Sequence, residues 1–386
     1  MDFTQFQSDQ FFRKDFEFLK PLGHSKTYSV NKVTHIKTNT IYALKSLEKS
    51  QIDTPSKFSA LLNEKTTLQS LSHPGIIRLI STFTDPEYIY FLLEYCENND
   101  LNSFTRRFPA FPYELVRFYS GQIASVLHYL SKQNTVHGNL KPESILLDHK
   151  FHIKLTDFSN TQQLRPKSWL QESPDYIAPE LLNGEQSGRA ADLWAFGCII
   201  YQMLVGTSPF VSSNPQITCE RIRDCTVDFP LSLTPLAVDF IQSLILPDPR
   251  LRIGVEDIED LTTHIFLQGI NLIKIFEKPV PDYLDEMIPV ATDEKIIKKE
   301  IVKKKCGWIY KKRILELNER PELKYYDPGK GEVRGSIEIS PQLKVEVKGK
   351  NEFNIIVPKR TYFFKVDKGA EEWKTAIYEL IRKFYG

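Results

Sequence analysis

The chain has 386 residues, a length that predicts two or three domains. Hydrophobic residues make up 41% and aromatic residues 12%, which suffices for real cores and excludes wholesale disorder. The net charge is only +1, so overall charge gives no reason to expect a nucleic-acid-binding protein. Five scattered cysteines without metal-type spacing, no signal peptide and no long apolar run predict a cytoplasmic protein.

The first part of the chain changes from strand-like to helical patterning. Its early segments are strands over 16–48, a helix over 57–71, and buried strands over 76–83 and 88–95. From about residue 113, apolar side chains recur at helical spacing. This order predicts a two-lobed α+β domain over 16–267, preceded by an N-terminal extension over 1–15.

The remainder of the chain predicts a linker and a second domain. Residues 268–302 hold three prolines and then a stretch rich in Lys and Glu, which is typical of a linker. Residues 303–386 contain alternating segments separated by turns. They end in a helix that carries Trp373, Ile377 and Leu380 on one face.

The stretch from His137 to Ser144 is the most informative in the chain. It resembles the catalytic loop of protein kinases, H-R-D-L-K-P-E-N, with Asn139 where that loop has its aspartate. The aspartate accepts a hydrogen bond from the substrate hydroxyl and takes up its proton. Asn139 can orient a hydroxyl through its carbonyl oxygen, but it is not a useful base near pH 7.

Other segments resemble protein-kinase motifs in the expected order, from Tyr42-Ala43-Leu44-Lys45 to Ala178-Pro179-Glu180. The resemblance implies a two-lobed kinase fold with ATP and Mg²⁺ as cofactors, if nucleotide binding is retained. The implied nucleotide-binding residues are Gly23, Val30, Ala43, Lys45, Glu64, Leu93 and Leu146. In the same way Lys141 joins Asn139 in the catalytic loop, and Asp157 and Ser144 are the implied metal ligands.

Departures from the kinase pattern concentrate at the positions that bind phosphate and metal in kinases. Gly23 is the only one of three loop glycines that remains, Ser144 replaces a metal-binding asparagine, and Ser159 replaces the glycine of D-F-G. We therefore expect a catalytically impaired protein that acts as a scaffold or allosteric partner. The alternative is an active Ser/Thr kinase that transfers the γ-phosphate of ATP to activation loops of AGC-group kinases.

The string Asp192 to Gln202 gives the chain a more specific resemblance, to the 3-phosphoinositide-dependent protein kinases. By that resemblance, Lys65, Thr82 and Thr84 form a small-lobe pocket that docks the phosphorylated tails of client AGC-group kinases. The other interpretation of these three residues is solvated surface.

The basic stretch 298–313 and the closing helix resemble a pleckstrin-homology domain, a small antiparallel β-barrel capped by one helix. The resemblance implies that Lys304, Lys311, Arg313 and Arg334 hold a phosphoinositide headgroup, so that the protein is recruited to the plasma membrane. A solvated lysine-rich linker and a nuclear-targeting signal are the alternatives for part of this stretch. A purely lipid-binding adaptor is a third view of the whole protein.

Overall fold

The computed structural model describes residues 2–8, 10–25, 27–108, 110–160, 174–185, 188–212, 214–281, 296–306, 309–318, 322–328, 333–357, 360–367 and 369–385. The chain forms two compact units, Met1–Leu284 and Asp285–Gly386. Within the described residues, no helix is both long enough and apolar enough to cross a bilayer.

The first unit begins with a five-stranded antiparallel sheet, in the order β1-β2-β3-β5-β4. Its strands are β1 (Phe16–His24), β2 (Tyr28–His35), β3 (Thr40–Glu48), β4 (Leu79–Thr84) and β5 (Tyr88–Glu94). Helix α1 (Pro55–Ser70) lies between β3 and β4 in the chain. Thr54 caps this helix by accepting the N–H of Lys57. Pro55 fits the first turn because the backbone N–H that proline lacks would have no partner within the helix there.

The rest of the first unit is mainly helical. Its elements are α2 (Leu101–Arg107), α3 (Tyr113–Lys132), β6 (Ile145–Leu147), β7 (Ile153–Leu155), α4 (Pro179–Leu182), α5 (Arg189–Val205), α6 (Pro215–Arg223), α7 (Pro235–Leu244) and α8 (Asp260–Thr263). Helix α5 is the central one: it is apolar on nearly all sides and buried from Ala191 to Met203. The turn that precedes β6 carries the Asn139 loop, and the turn after β7 carries Asp157.

The second unit is a seven-stranded antiparallel sheet with one helix, in the strand order β11-β10-β9-β8-β14-β13-β12. The elements are β8 (Ile296–Cys306), β9 (Ile309–Asn318), β10 (Glu322–Tyr326), β11 (Val333–Glu338), β12 (Lys344–Val347), β13 (Glu352–Val357), β14 (Arg360–Lys365) and α9 (Ala370–Tyr385). Trp373 and Ile377 of α9 are fully buried against the sheet residues of one core. The predicted α+β architecture with a C-terminal β-domain and closing helix is confirmed.

The linker predicted over 268–302 differs from the structure at its end. Strand β8 begins at Ile296, and residues 282–295 lie outside the described part of the chain. Of the residues in β8, only Val302 and Lys304 are buried. The alternation of the strand was therefore hard to recognise, because one of its two inward positions is a lysine.

Candidate functional site

The catalytic-loop backbone is anchored by Asp192 of α5. Its carboxylate accepts the N–H of His137 at 2.7 Å and that of Gly138 at 2.9 Å. His137 Nδ1 accepts the N–H of Asn139 at 3.3 Å, so Nε2 carries the proton and donates to the Thr156 carbonyl at 2.9 Å. These bonds fix the position from which the Asn139 side chain extends.

Lys45 and Glu64, both implied nucleotide-binding residues, form an ion pair. Lys45 Nζ of β3 lies 2.6 and 2.9 Å from the two carboxylate oxygens of Glu64 on α1, and both residues are buried. Burial is the largest single influence and acts to lower the pKa of Lys45, but Glu64, Asp157 and Tyr28 together outweigh it and hold that pKa above its usual value. Lys45 is therefore an ammonium that ties α1 to the sheet.

The Asp157 carboxylate accepts hydrogen bonds from two side chains that depart from the kinase pattern. Asn139 Nδ2 donates to Oδ2 at 2.6 Å, and Ser159 Oγ donates to Oδ1 at 2.8 Å. Burial acts to raise the pKa of Asp157, but Lys45 and then the Ser159 hydroxyl hold it below its usual value. Asp157 also has a φ of +68°, a left-handed conformation that these bonds help to hold.

Ser144, the second predicted metal ligand, is directed into its own loop. Its hydroxyl accepts the N–H of Lys141 at 3.1 Å and lies 2.8 Å from the Lys141 carbonyl. Mg²⁺ at such a site takes its oxygens from one or two protein side chains and from substrate phosphates. Here the Ser144 hydroxyl bonds within its own loop, and the Asn139 amide N–H, which cannot ligate a cation, points at Asp157 Oδ2. In this arrangement the residues do not fit Mg²⁺.

The loop between β1 and β2 satisfies its own donors. Ser25 Oγ accepts the N–H groups of Thr27 at 3.1 Å and Tyr28 at 3.2 Å, and the Ser25 N–H donates to the Tyr28 carbonyl at 2.8 Å. A phosphate-binding loop would present such N–H groups to the ligand. The Tyr28 ring centroid lies 4.7 Å from Lys45 Nζ, so an aromatic ring covers the lysine that would hold phosphate. Gly23 is exposed, with open space where a Cβ would stand.

The apolar residues implied to line the nucleotide site lie on neighbouring strands of the five-stranded sheet, except Leu146. Ala43 of β3 pairs with Leu93 of β5, and both are buried. Val30 of β2 pairs with Lys45. Leu146 lies on β6 and is partly buried. The apolar lining expected for a purine is therefore retained to a greater extent than the groups expected for its phosphates.

Lys65, Thr82 and Thr84 lie on α1 and β4, where the chain's own N-terminal segment packs. Lys65 Nζ donates to the carbonyl of Gln5, and Thr84 Oγ1 donates to Gln7 Oε1 at 2.8 Å. Thr82 is buried. Sequence analysis did not include the N-terminal residues in any site, although two phenylalanines three positions apart were a visible signal.

The predicted headgroup residues gather on one side of the second unit. Lys304 and Lys311 pair directly across β8 and β9, and Arg313 Nη1 and Arg334 Nη2 lie 3.7 and 3.5 Å from one oxygen of Asp327. Asp327 therefore occupies a position that an anionic ligand would have to share.

Lys304 is buried over two tyrosine rings, 4.3 Å from the centroid of Tyr325 and 5.6 Å from that of Tyr362. Burial lowers the pKa of Lys304, and the nearby Arg360 and Arg313 act in the same direction. Arg360, whose guanidinium lies 4.9 Å from the Tyr362 ring centroid, was missed by sequence analysis. Its alternation with Tyr362 and Phe364 along one strand was the available signal.

Comparison with known proteins agrees with this geometry. A protein kinase domain model matches residues 16–267, and a PH domain model matches residues 286–385. The chain belongs to the protein kinase family. Kinase domains generally use ATP and Mg²⁺, which makes the arrangement around Asp157 a departure within the family.

Several curated relatives show the same domain order or the same kinase group. Human 3-phosphoinositide-dependent protein kinase 1 is 28% identical over 96% of this chain and 84% of its own length. Human putative 3-phosphoinositide-dependent protein kinase 2 is 32% identical over 73% of each chain. The cAMP-dependent protein kinase type 3 of Saccharomyces cerevisiae is 33% identical over 72% of this chain and 70% of its own. The predicted relationship to the 3-phosphoinositide-dependent protein kinases is confirmed.

Proposed function

We propose that this chain is a catalytically impaired protein kinase homologue that acts as a scaffold or allosteric partner of AGC-group kinases at phosphoinositide membranes. The observation that carries the proposal is the 2.6 Å hydrogen bond from Asn139 to Asp157. It puts an amide donor where a kinase needs a base, and it directs an N–H group, which cannot ligate a cation, at the carboxylate that would bind the metal.

The expected losses in rate support little or no phosphate transfer. Loss of a positioned general base costs roughly 10²–10⁴ in rate. The Ser144 hydroxyl turned toward Lys141 and the Tyr28 ring over Lys45 affect metal and phosphate binding in addition. Such effects are not additive when residues act as a unit, so the product of the separate losses is an upper bound.

Phosphate transfer and ligand binding test the proposal together. The assay follows ³²P from ATP-Mg²⁺ to an activation-loop peptide for the wild type, Lys45→Ala and Asn139→Asp. Thermal shift with ATP, with Mg²⁺ and with both is measured on the same samples. We expect no transfer and no Mg²⁺-dependent stabilisation in the wild type. Transfer that Lys45→Ala abolishes would overturn the proposal.

The second candidate is an active Ser/Thr kinase, and the intact Lys45–Glu64 pair favours it. That pair is one of the contacts that a functional kinase small lobe requires. The variant Asn139→Asp with Ser159→Gly separates the candidates. Recovery of transfer only in this variant would locate the defect at Asp157, whereas equal transfer in the wild type would establish the active kinase.

Membrane recruitment is the second part of the proposal, with an inositol phosphate headgroup bound near Lys304, Lys311, Arg313 and Arg334. Charge-assisted contacts from Lys and Arg to phosphate support it, and Arg360 adds a fifth cation to the same neighbourhood. Asp327 opposes it, because this carboxylate lies close to both Arg313 and Arg334. The protein would then be cytoplasmic when not bound to lipid.

Co-sedimentation with vesicles that contain phosphatidylinositol 3,4,5-trisphosphate tests the headgroup site. Lys311→Ala with Arg313→Ala should reduce binding at least about tenfold, which is the loss of two charge-assisted contacts. Lys344→Ala with Lys348→Ala removes the same charge from exposed positions and serves as the control. Equal losses in the two double variants would show only general attraction of cations to the vesicle.

Client docking at Lys65, Thr82 and Thr84 is the third part of the proposal. The partner would be the phosphorylated tail of an AGC-group kinase, and the partly exposed Lys65 ammonium on α1 would pair with its phosphate. Capture of such a tail that survives Lys65→Ala unchanged would reject this docking site.

A further inference from the structure

The N-terminal segment, defined here as Phe3–Gln7, occupies a groove between α1 and the edge of the small-lobe sheet. Phe6 is fully buried, with its ring centroid 5.9 Å from those of Phe58 on α1 and Phe91 on β5. Phe3 packs edge-on against the same Phe58 ring, at 5.6 Å. Two aromatic side chains three positions apart thus hold the segment in the groove.

Polar contacts fix the register of the segment. Lys65 Nζ donates to the Gln5 carbonyl and lies 5.6 Å from the Phe6 ring centroid. Thr84 Oγ1 donates to Gln7 Oε1 at 2.8 Å. The segment forms a 3₁₀ turn that Asp2 caps by accepting the N–H of Thr4 at 3.0 Å. These contacts are those of a bound peptide, with anchors, backbone recognition and a preformed turn.

We propose that Phe3–Gln7 is a tethered ligand that closes the small-lobe groove to other proteins. The groove then accepts a Phe-x-x-Phe segment from a partner only when the tethered one leaves. A short tether presents its segment at an effective concentration on the order of millimolar, so it competes strongly with a free peptide. Exclusion of a client kinase by this segment rests on the client docking proposed above. Occupancy of the groove by Phe3–Gln7 does not depend on that docking.

The groove is one residue layer from the Lys45–Glu64 pair. Phe91, which contacts Phe6, pairs with Lys45 across β3 and β5, and its ring centroid lies 5.7 Å from Lys45 Nζ. Lys65 and Glu64 are neighbours on α1. Release of the segment therefore removes packing from the helix and strand that position this pair. Occupancy of the groove is thereby coupled to the geometry of Lys45 and Glu64.

A peptide copying residues 2–8, labelled with fluorescein, tests the proposal in trans with the full chain. We expect weak binding to the wild type and at least about tenfold tighter binding to Phe3→Ala with Phe6→Ala, measured by fluorescence anisotropy. Adding Lys65→Ala to that double variant should abolish the gain. Phe12→Ala, which changes an exposed phenylalanine of the same N-terminal extension, should bind as the wild type does.

Equal peptide affinity for the wild type and the double variant would overturn the proposal. Hydrogen exchange on the wild type keeps the test decisive if the double variant does not fold. The N–H of Gln7 donates to the Thr4 carbonyl at 2.9 Å and should be protected, so exchange at the random-coil rate would reject the tethered ligand. Neither readout involves phosphate transfer or a client, so both can fail while the proposed function stands.

Discussion

Two sets of polar contacts in the first unit differ in how closely they follow the kinase pattern. The ion pairs Lys45–Glu64 and Glu180–Arg252 are formed and buried, as a kinase fold requires. On the side that would face phosphate and metal, Asn139 and Ser159 instead bond to Asp157. The contacts that stabilise this fold are therefore separable from those that a kinase uses for phosphate transfer. Substitutions in each set of contacts test that separation.

The largest effect is expected from Arg252→Ala. The guanidinium is fully buried, donates to both oxygens of Glu180 at 2.7 Å, and lies 5.0 Å from the Trp194 ring centroid. Its removal leaves a buried carboxylate without a partner, which costs about 3–5 kcal/mol in the free energy of unfolding. Urea denaturation followed by tryptophan fluorescence measures the loss. Arg250→Ala, an exposed ion pair with Asp248, should cost less than about 1 kcal/mol.

If Arg252→Ala and Arg250→Ala lost similar stability, the Glu180–Arg252 pair would not be part of what holds the fold. The comparison would then rest on Lys45–Glu64 alone.

We expect Lys45→Met to be destabilising whether or not the protein is a kinase. The substitution leaves the buried Glu64 carboxylate unpaired, at a cost of about 2–4 kcal/mol. Lys45→Met with Glu64→Leu replaces both partners by apolar groups and should recover more than half of that loss. The measurement is again urea denaturation. Lys57→Ala, which breaks the exposed pair with Asp53, is the control.

A double variant as unstable as Lys45→Met would contradict this expectation. It would mean that Lys45 stabilises the unit through Tyr28 or Asp157 and not mainly through Glu64.

Sequence could predict most of the fold because the kinase motifs are spread along its backbone. Asp192 and the loop at His137 lie 55 positions apart and meet as the motif order implies. The bounds of β8 were missed, since its lysines hide the alternation. The order of the seven strands in the second unit depends on pairings that no single segment reveals.

The sequence names candidate site residues, whose roles stay predictions, but it does not show the bonds among them. That Asn139 lacks a base function follows from its amide, but its donation to Asp157 depends on two turns meeting in space. The same holds for Asp327 between Arg313 and Arg334, and for Phe6 in the groove beside Lys65. Each of these contacts joins residues of different strands, turns or helices, so residue type alone could not identify it.

We expect the stability of Asn139→Asp to depend on pH in a way that the stability of the wild type does not. It puts a second carboxyl beside Asp157, and two adjacent carboxylates raise the pKa of one of them above the unfolded value of about 4. Relative to the wild type, stability is then kept near pH 4 and lost as pH rises through the raised pKa. We expect a loss of about 1–3 kcal/mol at pH 8 by urea denaturation, reduced by Mg²⁺.

Asn139→Ala is the matched control for this substitution. It removes the same hydrogen bond without adding charge, so its loss of about 1 kcal/mol should not change between pH 5 and pH 8. A pH-independent loss in Asn139→Asp as well would show that the two carboxyls do not interact.

The smallest effect concerns His73, a partly buried histidine of the first unit. Its Nδ1 accepts the N–H of Gly75 at 3.1 Å, and burial lowers its pKa to about 4. A lowered histidine pKa contributes stability that is present above about pH 6.5 and lost as pH falls toward 4. Because the ring is partly exposed, we expect a loss on the order of 1 kcal/mol between pH 7.5 and pH 5.

His73→Asn keeps an acceptor for Gly75 and removes the titrating group, so its stability should fall less than that of the wild type over the same pH range. Urea denaturation at both pH values measures the difference, and His149→Asn, at an exposed position, should behave as the wild type does. If His73→Asn kept the full acid sensitivity, the loss would come from carboxylates instead. Asp157 would then be the first group to examine, because its carboxyl pKa is held below the usual value and the stability it contributes is lost as pH falls.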